Sequence, residues 1–301
     1  MNAQMTTAER RGYQQICGEN GLMMVVAADQ RGGMRKVLAA TEAEQKAIDT
    51  KTLGVVKAGI VTHLANKASC ILLDATCAVP AVVDDGVLAR DTGLLIGLDD
   101  SGWDLDDKGY RLSKLVPGID ARRTRELGGT GAKLMVYLRP DTVEANGANI
   151  EIIKQCIADF ASEDLLLVVE ILTYQLDGES DEAYAKAFPD LIVESARISL
   201  ELGAKVLKLP YPGNADACRK ITQLCAGVPW AVLSAGVDHE TFIGQVRTAM
   251  ECGASGVIAG RALWKDCISL DADERRTKLE EIASSRLREI QEVLDASATA
   301  N

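Results

Sequence analysis

The stretch "LLLVVEILTY" (residues 165–174) sets five apolar residues before a single glutamate, Glu170, and two after it. A continuous apolar run, rather than an alternating one, is typical of a strand in a parallel sheet whose outer face is covered. The next segment, 180–202, has the periodicity of a helix. The stretch therefore predicts one strand–helix unit of an α/β fold.

The same unit recurs along the chain. Eight apolar runs rich in β-branched residues are each followed by a segment with helical character. The predicted strands are 22–29, 70–75, 93–100, 132–140, 165–174, 204–212, 229–236 and 255–263. Eight repeats in 301 residues predict a (β/α)₈ TIM barrel.

Helices are predicted between the strands and at both ends of the chain. Thr41 followed by Glu44 has the pattern of a capping box at the start of a helix over 41–69. An extra helix precedes the first strand, and a long charged helix over 271–294 closes the chain. The other predicted helices are 118–129, 146–162, 180–202, 214–226 and 239–252.

An open doubly wound sheet is the alternative architecture. It is disfavoured because "DQRGGMR", after the first strand, lacks the G-x-G-x-x-G spacing of a dinucleotide-binding turn. No low-complexity segment or flexible linker divides the chain. We therefore expect residues 1–301 to form a single barrel domain.

Charge and composition exclude several classes of partner. The net charge of −11 argues against nucleic acid and against anionic membrane surfaces. No apolar stretch reaches the roughly 20 residues that span a bilayer, and the polar N-terminus lacks the apolar core of a signal peptide. We therefore expect a cytoplasmic protein that binds a small molecule. We also expect a homo-oligomer (a dimer or tetramer), an expectation that does not follow from charge or composition.

The cysteines and histidines argue against several kinds of catalytic and metal site. None of the eight cysteines forms a C-x-x-C pair, so we interpret them as reduced, mostly buried thiols. The two histidines, His63 and His239, leave little from which to build a zinc site or a Ser-His-Asp triad. We expect no metal, and chemistry that rests on lysine and carboxylates.

In a TIM barrel, the active site lies at the carboxyl ends of the strands. This rule converts positions scattered along the chain into a single predicted site. The residues at those ends are Asp29, Gln30, Arg31, Asp74, Asp99, Lys133, Glu170, Lys208, Ser234, Gly236, Gly260 and Arg261.

Lys208 is the candidate nucleophile. In "AKVLKLPYPG" (204–213) it interrupts an apolar strand. A desolvated lysine near other cations loses its proton more easily, and the neutral amine can attack a ketone to form a Schiff base. The alternative, about equally weighted, is a lysine whose long stem reaches solvent.

Lys133 and Glu170 are the other candidate catalytic residues. Two lysines on different barrel strands would each make protonation of the other less favourable, although Lys133 could instead face the outer helices. Glu170, the most isolated carboxylate, could act as a general acid and base or form a structural ion pair with either lysine.

The last two strands end in small residues suited to binding phosphate. Gly236 and Gly260 permit close backbone approach, Ser234 offers a hydroxyl, and Arg261 offers a bidentate guanidinium. Such loops after strands seven and eight often bind phosphate in this fold.

The first two strands end in residues with a possible role in substrate binding. Asp29 and Gln30 could bind substrate hydroxyls, Arg31 could bind an anion, and Asp74 could contact a polyol or cap a turn. The loop "LDDSGWDLDDKGYRL" (98–112) is too acidic for a phosphate site, so a solvated flap is preferred over an active-site lid.

Seven motifs, in order and at strand ends, carry a family resemblance. They are "AADQRG", "LLDATCAVPA", "GAKLMVYLRPD", "VVEILTY", "VLKLPYP", "VLSAGVD" and "AGRALW". Over nearly its whole length the chain resembles the class I (Schiff-base) aldolases of the tagatose 1,6-bisphosphate aldolase type, including the sulfofructosephosphate aldolases.

The resemblance implies roles for the candidate residues. Lys208 would form the Schiff base, Glu170 would transfer the proton, and Lys133 would lie beside them. Ser234, Gly236, Gly260 and Arg261 match phosphate-binding positions, and Asp29 and Gln30 match residues that contact the sugar chain. No metal is implied. The sequence departs from the family at Pro210, where a glutamate is usual.

Three functions follow as expectations. The first is reversible cleavage of a tagatose 1,6-bisphosphate-like ketose to dihydroxyacetone phosphate and an aldehyde. The second is the corresponding cleavage of sulfofructose phosphate to dihydroxyacetone phosphate and sulfolactaldehyde. The third, of another class, is a barrel that binds a sugar phosphate without catalysis.

Overall fold

Eight parallel strands close on one another to form a barrel in the computed structural model, which describes residues 4–300. Each strand pairs with its neighbours in chain order, and β8 pairs with β1 to close the ring. The strands are β1 Met23–Ala27, β2 Cys70–Asp74, β3 Gly93–Gly97, β4 Gly131–Tyr137, β5 Leu166–Leu172, β6 Leu207–Pro210, β7 Trp230–Leu233 and β8 Gly256–Ala259. The predicted (β/α)₈ barrel is confirmed.

Helices cover the outside of the barrel and extend to both ends of the described chain. The N-terminal helix begins after a Thr6 cap, whose hydroxyl accepts a hydrogen bond from the Glu9 amide. The helices are α1 Thr7–Ile16, α2 Gly32–Leu38, α3 Glu42–Ala47, α4 Thr50–His63, α5 Val79–Val83, α6 Ala121–Glu126, α7 Gly147–Ser162, α8 Asp181–Glu201, α9 Ala215–Cys225, α10 His239–Glu251, α11 Arg261–Trp264, α12 Ala272–Lys278 and α13 Ser284–Ala300.

The predicted helix over 41–69 is wrong in its extent. The capping box at Thr41 and Glu44 is present, but α3 ends at Ala47 and α4 starts again with its own cap, Asp49. Ile48, between them, is buried in an extended conformation. Burial of this side chain and the new cap interrupt the helical path.

The C-terminal helix is longer than predicted and is not uniform. A π-helical turn over Leu279–Ala283 separates α12 from α13, which extends beyond residue 294 to Ala300. Of the other predicted helices, each lies within three residues of an observed one at both ends.

The barrel interior changes from apolar to charged along the strand direction. Val168 and Val206 belong to the apolar layer inside the barrel. Two residues further along β5 and β6, on the same inward face, stand Glu170 and Lys208. The strand alternation therefore places charged groups above an apolar floor, at the carboxyl end of the barrel.

The acidic loop after β3 forms a short hairpin. Asp104–Leu105 pairs antiparallel with Arg111–Leu112, and both strands remain partly or fully exposed. The preferred interpretation of this loop as a solvated flap agrees with its exposure, but it does not predict the antiparallel strand pairing.

All eight cysteines lie within the described chain and none is in a disulfide. Seven are buried, and Cys17 is half-buried. The prediction of reduced, buried thiols agrees with this arrangement. No helix in the described chain combines the length and apolar character required to cross a membrane.

Candidate active site

Lys208 and Glu170 form a buried ion pair inside the barrel mouth. Their strands place them as direct register partners, and Lys208 Nζ lies 2.8 Å from Glu170 Oε2. Lys208 is 4% exposed and Glu170 is 7% exposed. Lys208 therefore points inward, and the alternative of a lysine reaching solvent does not hold.

Lys133 lies among three carboxylates. Its Nζ is 2.7 Å from Asp29 Oδ2, 2.5 Å from Asp99 Oδ1 and 3.4 Å from Glu170 Oε2. The alternative in which Lys133 faces the outer helices is wrong, because the side chain is 2% exposed within the barrel.

The electrostatics of Lys133 differ from the sequence-based expectation. Burial favours the neutral amine, but the surrounding carboxylates and the hydrogen bond to Asp29 outweigh burial and raise its pKa well above the ordinary value. The expected loss of a proton through repulsion between two lysines is therefore wrong for Lys133. It is a fixed cation.

The two aspartates that bind Lys133 are shifted in opposite directions. Burial opposes ionisation of Asp29, but the positive charges of Lys133 and Lys208 prevail and lower its pKa to about 2. Burial, reinforced by the negative charges of Asp29 and Glu170, raises the pKa of Asp99 despite its bond to Lys133. The environment thus makes Asp29 a stronger acid than an ordinary aspartate and lets the neighbouring Asp99 hold its proton more readily.

The sequence places Asp99 at a strand end but indicates no role for it. In "GLLIGLDD", Asp99 stands two residues beyond Gly97, the last residue of β3. The alternation of side chains along a strand therefore places Asp99 on the same face as Gly97. The hydrogen bond from Lys133 to Asp99 joins residues 34 positions apart, so the local sequence does not predict it.

Two polar atoms at the mouth are buried without a partner within residues 4–300: Asp29 Oδ1 and Gln30 Oε1. Gln30 also lies beside the end of β8, where its Nε2 is 3.6 Å from the position of a Cβ built on Gly260. Buried acceptors without partners are costly unless something donates to them. They are suited to accepting hydrogen bonds from the hydroxyls of a ligand.

Asp74 and Arg31 are already bound to other groups. Asp74 pairs through Oδ2 with the fully buried Lys57, and its Oδ1 accepts from the amides of Thr76 and Cys77. Burial opposes this ionisation, and the Lys57 cation outweighs it to lower the pKa of Asp74. The geometry favours the turn-cap alternative over a polyol contact.

Arg31 donates to the Asp99 carbonyl and the Asp100 carboxylate, each at 3.0 Å. An anion bound there would have to displace Asp100. The sequence does not indicate a buried Lys57, because an isolated lysine in a helical pattern is usually on the surface.

The ends of β7 and β8 come together as expected. Ser234 Oγ accepts from the Gly260 amide at 3.4 Å, and Arg261 Nη2 donates to the Ala235 carbonyl at 3.4 Å. Gly236 has φ +84°, and a Cβ there would lie 3.0 Å from Arg261 Cζ. Glycine thus allows the exposed guanidinium to lie against the loop.

Lys265, which no sequence motif indicates, adds a second cation to this loop. It donates to the Gly236 carbonyl at 2.8 Å. Within the described chain, no group of three or more His, Cys, Asp or Glu side chains is arranged to hold a metal ion.

A family model described as "DeoC/LacD family aldolase" matches residues 23–266, a span that runs from the first residue of β1 through α11. The chain belongs to the DeoC/LacD aldolase family. It is therefore an aldehyde-lyase by family, and the resemblance drawn from the seven motifs is confirmed.

Relatives of this DeoC/LacD aldolase match along nearly their whole length. The tagatose 1,6-diphosphate aldolase of Staphylococcus aureus is 26% identical over 315 residues, covering 95% of both chains. The tagatose 1,6-diphosphate aldolase 2 of Streptococcus agalactiae is 28% identical over 326 residues, covering 98% of both chains.

Solved structures share the fold of this DeoC/LacD aldolase. A fructose-bisphosphate aldolase from Slackia heliotrinireducens aligns with a TM-score of 0.65 at 17% identity, covering 99% of this chain and 93% of that one. An archaeal fructose-1,6-bisphosphate aldolase, with its catalytic lysine bound to a carbinolamine intermediate, aligns with a TM-score of 0.62 at 18% identity, covering 94% and 98%. At these identities the likeness establishes the barrel alone.

Proposed function

We propose that this aldolase reversibly cleaves a phosphorylated ketose of the tagatose 1,6-bisphosphate type to dihydroxyacetone phosphate and an aldehyde, through a Schiff base on Lys208. The buried Lys208–Glu170 pair at the mouth of the barrel carries this proposal. The names of the staphylococcal and streptococcal relatives support the substrate class.

Imine formation needs a neutral amine at Lys208. Glu170 accepts the ammonium proton across their 2.8 Å hydrogen bond, and the lone pair of Nζ attacks the C2 carbonyl of the ketose. The resulting carbinolamine takes a proton on its hydroxyl from Glu170 and loses water to give the protonated imine. Lys133, 3.4 Å from Glu170, holds that carboxylate in position throughout.

Cleavage breaks the bond between C3 and C4. Glu170 accepts the proton of the C4 hydroxyl, and the electron pair of the C3–C4 bond moves to C3 and the imine. The aldehyde leaves, and an enamine remains on Lys208. Protonation of C3 and addition of water to the imine then release dihydroxyacetone phosphate and restore the amine.

Substrate binding completes the proposal. The phosphate on C1 binds to the loop of Ser234, Gly236, Gly260 and Arg261, where the exposed guanidinium of Arg261 offers N–H donors. The unpaired oxygens of Asp29 and Gln30 accept hydrogen bonds from the sugar hydroxyls. Fixing both ends of the three-carbon unit orients C2 toward Lys208.

A panel of three ketoses tests the function. Purified protein is supplied with tagatose 1,6-bisphosphate, fructose 1,6-bisphosphate or sulfofructose phosphate, and dihydroxyacetone phosphate is measured by coupled reduction. We expect the highest kcat/KM for tagatose 1,6-bisphosphate. A preference for sulfofructose phosphate would instead assign the sulfosugar activity. Thermal stabilisation by the ligands without turnover would assign a non-catalytic sugar-phosphate-binding barrel.

Glu170→Gln should lower kcat about 10²- to 10⁴-fold, because glutamine can neither accept nor return the proton. KM should change far less, since the phosphate and hydroxyl contacts lie elsewhere. Glu144→Gln, at an exposed position, is the matched control. Wild-type kcat in Glu170→Gln would remove this residue from proton transfer.

A further inference from the structure

The guanidinium of Arg111, on the hairpin after β3, is held against three aromatic rings. Its Cζ lies 3.8 Å from the ring centroid of Trp103, 4.8 Å from that of Tyr174 and 5.1 Å from that of Tyr137. The Arg111 amide also donates to Tyr174 Oη at 3.2 Å. Aromatic faces hold the planar cation in place and shield it from water.

Arg111 has no carboxylate partner among residues 4–300, although its loop is acidic. Three carboxylates of the loop are bound to other cations: Asp99 to Lys133, Asp100 to Arg31 and Asp104 to Lys114. Asp106 accepts hydrogen bonds from backbone amides instead. Arg139, another arginine on this side of the barrel, is bonded to two carboxylates of its own. Arg111 is thus an ordered cation whose charge is not neutralised by an ion pair.

The position of Arg111 follows from the strand that carries Tyr137. Tyr137 lies on the inward face of β4, four residues beyond Lys133. At ~3.3 Å per residue this is about 13 Å further along the strand, at the rim of the mouth. Burial raises the pKa of Tyr137, and among the groups whose charges act on it are Arg111, Asp99 and Glu170.

The order of strands around the barrel gives the spacing across the mouth. β4, beside Arg111, and β8, which precedes Arg261, stand four positions apart in a ring of eight and therefore face each other. β6, with Lys208, lies midway between them. A substrate anchored by one anionic group at Arg261 and extended over Lys208 would direct its other end toward Arg111.

We propose that Arg111 binds the anionic group at the aldehyde end of the substrate, a phosphate or a sulfonate, and so determines which aldehydes the enzyme accepts. This inference rests on the proposed function. The stacked guanidinium can donate two parallel hydrogen bonds to a tetrahedral oxyanion. The loop is acidic overall, but three of its five carboxylates, Asp99, Asp100 and Asp104, are bound to other cations.

The test compares aldehydes that differ only at this end. In the condensation direction, dihydroxyacetone phosphate is combined with glyceraldehyde 3-phosphate, with 3-sulfolactaldehyde or with unsubstituted glyceraldehyde. Arg111→Gln should raise KM about 10- to 100-fold for whichever anionic aldehyde the wild type prefers, and leave kcat/KM for glyceraldehyde unchanged. Arg90→Gln, whose side chain is 90% exposed at another site, is the matched control.

Two kinetic outcomes would overturn the proposal. Equal losses on charged and uncharged aldehydes would mean that Arg111 only supports the hairpin. Unchanged KM for all three aldehydes would mean that it does not touch the substrate. Partial recovery of the preference for the anionic aldehyde in Arg111→Lys would support the proposal, since lysine keeps the charge and loses the fork.

A binding measurement separates this proposal from the proposed function. If the wild type gives no borohydride-trapped adduct with dihydroxyacetone phosphate, the Schiff-base function is wrong. Binding at Arg111 is then measured separately, through the fluorescence of Trp103 during titration with glyceraldehyde 3-phosphate. Trp230 and Trp264 are buried, and Trp103→Phe identifies the signal. A saturable change lost in Arg111→Gln supports the anion site. No change, or the same change in both proteins, rejects it.

Discussion

Lys208→Met should lower ketose cleavage by on the order of 10⁴- to 10⁶-fold, the largest effect expected of any single substitution here. Methionine matches much of the lysine stem but has no amine, so neither the carbinolamine nor the enamine can form. The loss is measured as kcat with the preferred ketose. Borohydride trapping with dihydroxyacetone phosphate, followed by peptide mass spectrometry, should show an adduct on the peptide containing "VLKLPYP" in the wild type only.

Two control variants show whether Lys208→Met is inactive because it lacks the amine or because it lacks a positive charge. Lys208→Arg keeps a cation beside Glu170 and should be as inactive as Lys208→Met. Lys220→Met, at a side chain that is 61% exposed, should retain full activity. Appreciable cleavage by a folded Lys208→Met protein would exclude the Schiff base at this position.

Lys57→Met should destabilise the fold by about 3–5 kcal/mol, because it leaves the Asp74 carboxylate buried without its cation. The Lys57 side chain has no exposed surface and that of Asp74 is 3% exposed, so water cannot replace the missing partner. Urea unfolding at pH 7, followed by circular dichroism, gives the free energy of unfolding.

The double variant Lys57→Met/Asp74→Asn makes the prediction specific to the pair. Asparagine keeps an acceptor for the Thr76 and Cys77 amides and removes the charge, so the double variant should recover about 2 kcal/mol or more relative to Lys57→Met. Strictly additive losses would mean that the two side chains do not interact as the structure places them.

The same pair predicts a pH dependence of known sign. The pKa of Asp74 is lowered in the folded protein, so its ion pair contributes stability above the unfolded pKa of about 4, and that stability is lost as pH falls through the lower folded value. The advantage of the wild type over the double variant should therefore be complete at pH 7 and shrink below pH ~4. An advantage that stayed constant to lower pH would contradict the assignment to Asp74.

The barrel could be predicted because its signal is repeated. Each strand is a continuous apolar run, and the repeat count is independent of any one boundary. The split between α3 and α4 could not be predicted in the same way, since burial of Ile48 depends on what packs against it from elsewhere in the chain.

The position of Lys133, Glu170 and Lys208 on barrel strands could be predicted from the sequence, but neither the inward orientation of the two lysines nor their charge states could. The presence of a second strand lysine, Lys208, predicts that Lys133 loses its proton more easily. The three carboxylates that reverse this come from β5 and from the ends of β1 and β3. The barrel rule places them at one mouth, but it does not show that all three lie within ion-pair distance of Lys133. The same limitation hid the Lys57–Asp74 pair. The substrate-binding roles of Arg31 and Asp74, the single-domain organisation and the homo-oligomer stay predictions.

The distribution of the cysteines makes thiol labelling a probe of local unfolding in this barrel. Because seven of the eight cysteines are buried, a thiol reagent reaches them only when the surrounding segment opens. They are spread over separate units, with Cys70 on β2, Cys156 on α7 and Cys218 on α9. The order in which the cysteines become labelled would therefore report which strand–helix units open locally. It would also show which units open only when the whole barrel unfolds.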